Sequence, residues 1–418
     1  MTAKEFCKII DERQSELYEL LSSLIKINSE SFGSYGNEKE IAEYINGLCR
    51  ELGLESEVYS PLVIKDFEKH PDYMPGRALE NRYNVTARMR GITDKDELML
   101  MAHLDTVEIG DPANWDKNPL SGEIADGRIW GRGACDDKYA LATALFVMKL
   151  LRENGFKPSK NLVFTGYCDE EHGGSHGALA AVLRYPCDKI LNMDGRFKIW
   201  NCASGGQEAK YTYHVNETVD SAKRAALALS AVIEELDVFA ARRRDELNAN
   251  SYYDGSIIPD TSFRYMHAKA GNSGLDLGRG ELSFVFYTDK TKEEIEAEFS
   301  EIHENISKRL LPLGIVADGF EPQTRFFHYT NCPKDSDNVL SLLSAAEDAI
   351  GEKLEVCGSC LSDLSVISKY GSQNAIAFGA GRDFSLPGGA HQPNEFIECE
   401  SLLKYAKVIA SYLIKALG

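Results

Sequence analysis

Short apolar runs typical of strands alternate with longer helical patterns over most of this 418-residue chain, and this alternation limits the folds open to it. The strand candidates share an almost continuous apolar character and lie at Asn84–Ala87, Leu98–Asp105, Leu162–Cys168, Ile190–Met193 and Asn374–Phe378. The helix candidates are Asp137–Leu151, Asp337–Ala349 and a final segment from Glu398 onward. Because apolar strands need cover on both faces, the pattern predicts an α/β domain with a mixed, helix-covered sheet.

A second pattern begins near residue 204 and ends near residue 330. It comprises a strand, a helix, two strands, a helix and a closing strand, predicted at Tyr211–Val215, Ala222–Leu236, Phe263–Ala268, Leu282–Tyr287, Lys292–Leu310 and Thr324–Tyr329. This order resembles a ferredoxin-like α+β sandwich. We therefore predict that residues 1–203 and 331–418 form one domain and that residues 204–330 form a second domain inserted into it.

The chain is acidic, with a formal net charge of -19 and a pI near 5.0. Nucleic acids and anionic membranes are poor partners for such a surface, because binding them needs clustered Lys and Arg. The first residues, Met1–Leu24, read as an amphipathic helix and not as a signal peptide, and no apolar run is long enough to span a membrane. The ten cysteines show no framework spacing, so we expect reduced thiols and a cytoplasmic location.

The sequence His103-Leu104-Asp105 ends one of the apolar strand candidates. In open α/β sheets the groups that bind ligands lie at such strand ends. A histidine followed by a carboxylate at this place suits a metal ligand with an orienting partner. A histidine with a purely structural role is the alternative.

A glycine-rich turn, Gly131-Arg132-Gly133, leads through Cys135 to Asp136, Asp137 and the buried helix. The turn lacks the pattern of a phosphate-binding loop, and the aspartates stand where a phosphate would have to bind. A carboxylate fixed by a tight turn can instead bind one cation with each oxygen. We assign this bridging role to Asp136.

Three acids, Asp169, Glu170 and Glu171, follow the strand candidate Leu162–Cys168. Their mutual repulsion is costly unless cations or a shared proton relieve it, although a solvated acidic turn is also consistent with the pattern. Adjacent side chains of an extended chain point in opposite directions, so one glutamate can bind metal while its neighbour faces substrate.

Asp194, which follows another strand candidate, and His391, in a glycine-rich loop, complete a candidate cage. Nitrogen and oxygen donors without thiolate suit zinc, cobalt or manganese. Spacing along the sequence does not by itself bring these residues together.

Five motifs occur in order along the chain: H-L-D from 103, G-R-G-A-C-D-D-K from 131, D-E-E-H-G from 169, N-M-D-G from 192 and A-H-Q-P-N-E from 390. In this order and spacing the chain resembles the aminoacylase, acetylornithine deacetylase and succinyl-diaminopimelate desuccinylase family of di-zinc metallopeptidases. The stretches around Arg77 and Arg82 also resemble an N-terminal segment of deacetylase-like members.

The resemblance implies two divalent metal ions, of zinc or else cobalt or manganese, and a role for each motif residue. His103 and Asp194 would hold one metal, Glu171 and His391 the other, and Asp136 would bridge both. Asp105 would orient His103, and Glu170 would be the general base. The implied reaction is hydrolysis of an amide bond in a small N-acyl amino acid or short peptide, with the inserted domain as a lid that also forms a homodimer.

The inserted domain departs most from the family pattern. Relatives carry a histidine there that binds the oxyanion, whereas the corresponding segment, 215–220, has none. Candidates for substrate contacts are therefore Asn272, Arg382 and Asp363. Two alternatives to a deacylase follow from these departures: a dipeptidase or carboxypeptidase of the same family, and a paralogue that binds metal without catalysis. The intact Glu170 argues against the second alternative.

Overall fold

The computed structural model describes residues 2–216, 219–273 and 276–418, with the backbone alone for Ser273 and Asp276. The helices are α1 (Ala3–Glu12), α2 (Gln14–Ile25), α3 (Glu38–Glu51), α4 (Lys138–Glu153), α5 (His176–Arg184), α6 (Ser221–Asn248), α7 (Lys292–Leu310), α8 (Asp337–Ile350), α9 (Leu364–Val366) and α10 (Cys399–Leu417). The strands are β1 (Glu55–Tyr59), β2 (Asn84–Met89), β3 (Thr93–His103), β4 (Glu123–Ala125), β5 (Arg128–Trp130), β6 (Lys160–Tyr167), β7 (Lys189–Asn192), β8 (Ile199–Ala203), β9 (Gly205–Val215), β10 (Phe263–Ser273), β11 (Asp276–Thr288), β12 (Ile315–Pro322), β13 (Thr330–Asn331), β14 (Val356–Ser359), β15 (Ala375–Ala377) and β16 (Phe396–Glu398).

The chain divides into two compact units. The first comprises Met1–Asn201, Cys332–Val356 and Val366–Gly418, and the second comprises Cys202–Asn331 and Cys357–Ser365. The sequence prediction placed Cys357–Ser365 in the first domain. In the structure this segment packs within the second unit, where the Ser204 amide donates to the Ser359 carbonyl at 3.1 Å.

The first unit is built on a mixed sheet in the order β1-β2-β6-β3-β7-β15-β8. Strands β6, β3, β7 and β15 run parallel to one another, whereas β1, β2 and β8 pair antiparallel with their neighbours. The central strands are buried along most of their length, which explains their nearly continuous apolar sequences. The predicted α/β class with a mixed, helix-covered sheet is confirmed.

Helix α4 is buried on nearly every side, as its sequence predicted. Leu141, Leu145 and Met148 are among its side chains in the core, and α2 and α10 pack against the same helix. Burying each large apolar side chain contributes about 1.5–3 kcal/mol, so this packing fixes the position of the turn that precedes α4. That turn carries Asp136.

A small antiparallel sheet in the order β16-β5-β4 belongs to the same unit. Its register sets Phe396 opposite Trp130. This pairing brings the loop before β16, which contains His391, beside the turn after β5, which leads to Asp136.

The second unit contains a four-stranded antiparallel sheet in the order β10-β11-β9-β12, with α6 and α7 packed on it. The succession of strand, helix, two strands, helix and strand is the predicted ferredoxin-like arrangement. The predicted closing strand Thr324–Tyr329 is wrong, because the fourth strand is β12 (Ile315–Pro322). Ile315 pairs with Val215 and buries its side chain against the helices, whereas Thr324–Tyr329 forms only an isolated bridge at Phe327.

The amphipathic N-terminal segment forms two helices, α1 and α2, separated at Arg13. None of the helices in the described ranges has both the length and the apolar composition needed to cross a bilayer.

Candidate metal centre

Three neighbouring parallel strands bring polar residues to one edge of the sheet of the first unit. His103 ends β3 and lies opposite Tyr167 of β6, so the acids that follow Tyr167 come next to it. On the other side of β3, Met101 lies opposite Asn192 of β7, and Asp194 follows two residues later. The carboxyl ends of parallel strands thus collect groups that are distant in sequence.

The turn that carries Asp136 is held by Glu395. The Glu395 carboxylate accepts hydrogen bonds from the amides of Gly133 at 3.1 Å and Cys135 at 2.8 Å. It also pairs with Arg132 at 2.7 Å, and its own carbonyl accepts from the Gly131 amide at 2.9 Å. One buried glutamate from the His391 loop therefore fixes the turn. The peptide bond between Asp136 and the next residue is cis.

Three side chains, those of His103, His391 and Glu171, converge on Asp136. His103 Nε2 lies 3.0 Å from Asp136 Oδ1, and His391 Nε2 lies 3.2 Å from Asp136 Oδ2. His391 Nε2 also lies 2.8 Å from Glu171 Oε2. Donor atoms of His103, Asp136 and Glu171 all lie within 4.8 Å of one another. Each oxygen of Asp136 thus faces a different imidazole, which is the arrangement that a carboxylate bridging two cations requires.

The directions of the pKa shifts in this cluster indicate that it favours positive charge. Burial raises the pKa of Asp136, but hydrogen bonds to His103 and His391 outweigh it and hold the pKa below its ordinary value. Burial lowers the pKa of His391, but Glu171 and Asp136 raise it to about 11. The pKa of His103 is raised by Asp136 in the same way, against the effect of its burial. The negative carboxylates keep the imidazole rings protonated. A metal cation would compete with these protons for the imidazole nitrogens and carboxylate oxygens.

The ring orientation of His103 leaves one nitrogen available to a metal. Its Nδ1 lies 2.8 Å from the main-chain carbonyl of Asp105, which can only accept, so Nδ1 carries a proton and Nε2 is the nitrogen that would bind a metal once the metal displaces its proton. The Asp105 carboxylate lies 3.9 Å from Nδ1. The main-chain oxygen of Asp105, and not its carboxylate, makes the hydrogen bond that orients this ring.

The Asp105 carboxylate instead holds the acidic turn. It accepts hydrogen bonds from the amide of Glu170 at 3.2 and 3.0 Å and from the amide of Glu171 at 3.2 Å. The Glu171 side chain accepts in turn from the Val107 amide at 3.1 Å. Asp105 is fully buried, so it holds the backbone of this turn from the interior of the unit.

Glu170 and Asp194 are both partly exposed at this edge of the sheet. The Met193 amide donates to the Met101 carbonyl at 2.7 Å, which carries the chain along β3 up to Asp194. Burial raises the pKa of Asp137 well above its ordinary value, and the charge of Asp194 adds to the rise. Asp194 is therefore near enough to Asp137 for the two charges to interact.

The three candidates for substrate contacts occupy separate places. Arg382, in the first unit, pairs with Glu398 at 2.9 Å and donates from Nε to the Pro387 carbonyl at 3.1 Å. In the second unit, Asp363 is buried and lies 3.6 Å from Arg325. Asn272, also in the second unit, is exposed and accepts from the Ser221 hydroxyl at 2.9 Å. Of the segment 215–220, residues 217 and 218 lie outside the described part of the chain.

Sequence reasoning missed two groups at this centre. One is Glu395, which stands inside the A-H-Q-P-N-E motif and could have been recognised there. The other is the set of buried charges around Asp169, which includes Arg77 and Arg82. The resemblance of the stretches around both arginines to deacetylase-like sequences was the available signal.

Comparisons with known proteins give relatives of this chain by sequence and by structure. The profile of the peptidase family M20/M25/M40 matches residues 99–415. An uncharacterized metallohydrolase of Methanocaldococcus jannaschii is 26% identical over 435 residues, covering 95% of this chain and 98% of the relative. A di-peptidase of Saccharomyces cerevisiae has a similar structure, with a TM-score of 0.72 and 15% identity over 100% of this chain and 99% of that one. A dinuclear metal binding peptidase of Bacillus subtilis gives a TM-score of 0.62 and 15% identity, over 97% and 98% of the two chains.

The fold and these relatives define a metal-dependent hydrolase of amide or peptide bonds. The profile match spans most of the sequence, and the chain belongs to the peptidase family M20/M25/M40. The broader family of the predicted deacylases is thereby confirmed, whereas their own group within it stays a prediction.

Proposed function

We propose that the chain is a di-metal amidohydrolase in which His103 and Asp194 hold one divalent ion, Glu171 and His391 hold the other, and Asp136 bridges them. The observation that carries the proposal is the contact of each Asp136 oxygen with a different histidine, at 3.0 and 3.2 Å. The donors are imidazole and carboxylate without thiolate, which fits zinc and also cobalt or manganese.

When bound, such ions act as Lewis acids that polarise the scissile carbonyl and lower the pKa of water. Side chains of the protein supply the proton transfer and hold the reacting groups in place. Glu170 precedes the proposed ligand Glu171 and is partly exposed, and it would take a proton from the attacking water and pass it to the leaving amine. The Asp105 carboxylate fixes the Glu170 amide, so the backbone that carries the proposed base is held in place.

For the substrate we propose a small N-acyl amino acid, because the order of motifs resembles that of the deacylase family. A dipeptide is the second candidate, supported by the overall similarity to the di-peptidase of Saccharomyces cerevisiae. The phenyl ring of Phe384 is 51% exposed and lies 4.8 Å from the His391 ring, measured between centroids. An apolar surface beside the proposed metal ligand His391 favours substrates that carry an apolar group, whether they are N-acyl amino acids or dipeptides.

Further proposals follow from the resemblance to the family. The second unit would serve as a lid and form a homodimer, with Asn272 and Asp363 as candidates for substrate contacts from it and Arg382 from the first unit. We also propose that the protein acts in the cytoplasm, on small molecules and not on nucleic acids or membranes.

The first experiment is elemental analysis of protein purified without chelator, together with hydrolysis of a panel of N-acyl amino acids and dipeptides with added zinc or cobalt. We expect two metal ions per chain and metal-dependent release of a free acid from N-acyl amino acids. Release of amino acids from dipeptides alone would shift the assignment to a dipeptidase. Two bound metals without cleavage of any panel member would favour the non-catalytic paralogue, and an absence of bound metal would overturn the site.

A further inference from the structure

The carboxylate of Asp169 lies at the centre of a buried set of charges behind the metal centre. Arg77 Nη1 lies 2.6 Å from Asp169 Oδ1, and Arg82 Nη1 contacts the same oxygen. His176 Nδ1 lies 2.5 Å from Asp169 Oδ2. Because His176 Nε2 accepts from the Met74 amide at 3.0 Å, Nδ1 carries the proton and donates to Asp169. Both oxygens of Asp169 are therefore occupied by donors from other segments.

The two arginines also tie the acidic turn to the N-terminal segment. Arg77 Nη1 donates to the Gly33 carbonyl at 3.0 Å, and its second amino group donates to the His172 carbonyl. Arg82 Nη2 donates to the Ser31 hydroxyl at 2.8 Å. Arg82 is completely buried, and only 6% of the Arg77 side chain is exposed. Burying charges costs more than most ion pairs return, so a network of this kind is poor evidence for a role in stability alone.

Asp169 directly precedes the proposed base and adopts a left-handed backbone conformation, with φ at 65°. Only glycine adopts this region freely, so the conformation needs support from the surroundings. The two arginines and His176 give that support through the Asp169 side chain. The amides of Glu170 and Glu171 are held separately by the Asp105 carboxylate. The turn is thus fixed at two points: at the Asp169 side chain, and at the amides of Glu170 and Glu171.

We propose that Arg77 and Arg82 are positioning residues, which fix Asp169 and thereby hold Glu170 and Glu171 in the geometry needed for hydrolysis. This inference rests on the proposed function, since it needs Glu170 to act on the reaction. It assigns a kinetic role to a loop that contributes no ligand and no base. The effect should appear in kcat, because neither arginine is among the proposed metal ligands or substrate contacts.

The test is the variant Arg77→Ala, assayed on the panel substrate that the parent protein cleaves fastest and in its metal-loaded form. We expect kcat to fall by about 10–100-fold, the usual cost of losing an outer partner of a metal site, while KM changes less than threefold. Millimolar guanidinium should restore part of kcat, because the truncation opens space for a guanidinium ion beside Asp169. Arg77→Lys should retain more activity than Arg77→Ala.

The matched control is Arg88→Ala, which removes an arginine paired at 2.6 Å with Asp96 on the same sheet, away from the turn. This variant should keep kcat and show no response to guanidinium. An unchanged kcat in Arg77→Ala would overturn the inference, and so would a loss that guanidinium does not relieve in protein that keeps its melting temperature. If the parent protein cleaves no panel substrate, the proposed function fails, whereas loss confined to the variant tests the positioning role.

Discussion

The backbone amide of Glu170 donates to both carboxylate oxygens of Asp105, at 3.2 and 3.0 Å. The base proposed for the reaction is therefore fixed at its own peptide group, while its side chain lies at the partly exposed edge of the sheet. A carboxylate that moves protons must reach both the water and the leaving amine, and a fixed backbone sets the point from which the side chain reaches them.

Replacing Glu170 with glutamine should abolish turnover without removing metal. The amide keeps the shape of the side chain but cannot accept a proton, so we expect kcat to fall by about 10²–10⁴-fold. Elemental analysis should still give two metals per chain. Glu68→Gln, at an exposed site, is the control and should retain full activity. Near-full turnover in metal-loaded Glu170→Gln would exclude this residue as the base.

Asp105→Asn should reduce kcat by about 10–100-fold, because an asparagine offers only one oxygen to the amides of Glu170 and Glu171. Metal content should change little, since the His103 ring is oriented by the main-chain carbonyl at this position. Steady-state kinetics of the metal-loaded variant measure the effect. Asp96→Asn, on the same strand, is the matched control, and an equal loss in both variants would argue for general destabilisation.

Asp136→Asn should bind fewer than two metals per chain, because its remaining oxygen can contact only one of them. Metal that binds the folded state raises the melting temperature by mass action, so zinc should stabilise the variant less than the parent. Calorimetry with and without added zinc measures the difference. The exposed Asp188→Asn is the control, and an equal rise in both variants would contradict the bridging role.

Much of the first unit could be predicted because its signals are local. An apolar strand followed at once by His103, or by three acids, identifies a strand end, and parallel pairing then brings the ends together. Asp136 could be recognised from the turn before a buried helix. The pattern of strands and helices in the second unit likewise predicted its fold.

Long-range partners could not be predicted in this way. Glu395 reaches the turn before α4 through the pairing of β16 with β5, which no periodicity in the sequence reveals. Arg77 and Arg82 lie in a loop, and the sequence of a loop does not indicate which way its side chains point. The fourth strand of the second unit was misplaced because Ile315–Pro322 combines apolar residues with Asp318, Gly319 and a register shift between Ala317 and Gly319.

The buried Glu38 should make folding stability fall as pH rises. Burial raises its pKa from 4.5 to about 8, with Asp105 adding to the rise. Between these values the folded protein binds one more proton than the unfolded chain, so the free energy of unfolding decreases by up to about 1.4 kcal/mol per pH unit. The stabilisation of the fold by protonated Glu38 is fully present below pH 4.5 and is lost as pH rises through about 8.

Urea unfolding of Glu38→Gln at several pH values, with chelator present, measures this effect. The variant stays uncharged, so its stability should decrease less between pH 5 and 8 than that of the parent. Glu40→Gln, exposed on the same helix, should follow the parent. Parallel profiles for the parent and Glu38→Gln would show that Glu38 is ionised in the folded protein.

Phe384→Ala should distinguish substrates by their apolar part. The ring is half-exposed and packs edge-on against His391, and the loop that presents it is held by Arg382 and by the hydrogen bond of Gln392 to the Phe384 carbonyl. Removing the ring takes away apolar contact area worth about 1–2 kcal/mol, which corresponds to about 5–30-fold in KM. We expect this rise for N-acyl amino acids with long apolar groups and little change for N-acetylglycine. Ile92→Ala, at a remote exposed site, should alter neither, and an equal effect on both substrates would place Phe384 outside the specificity pocket.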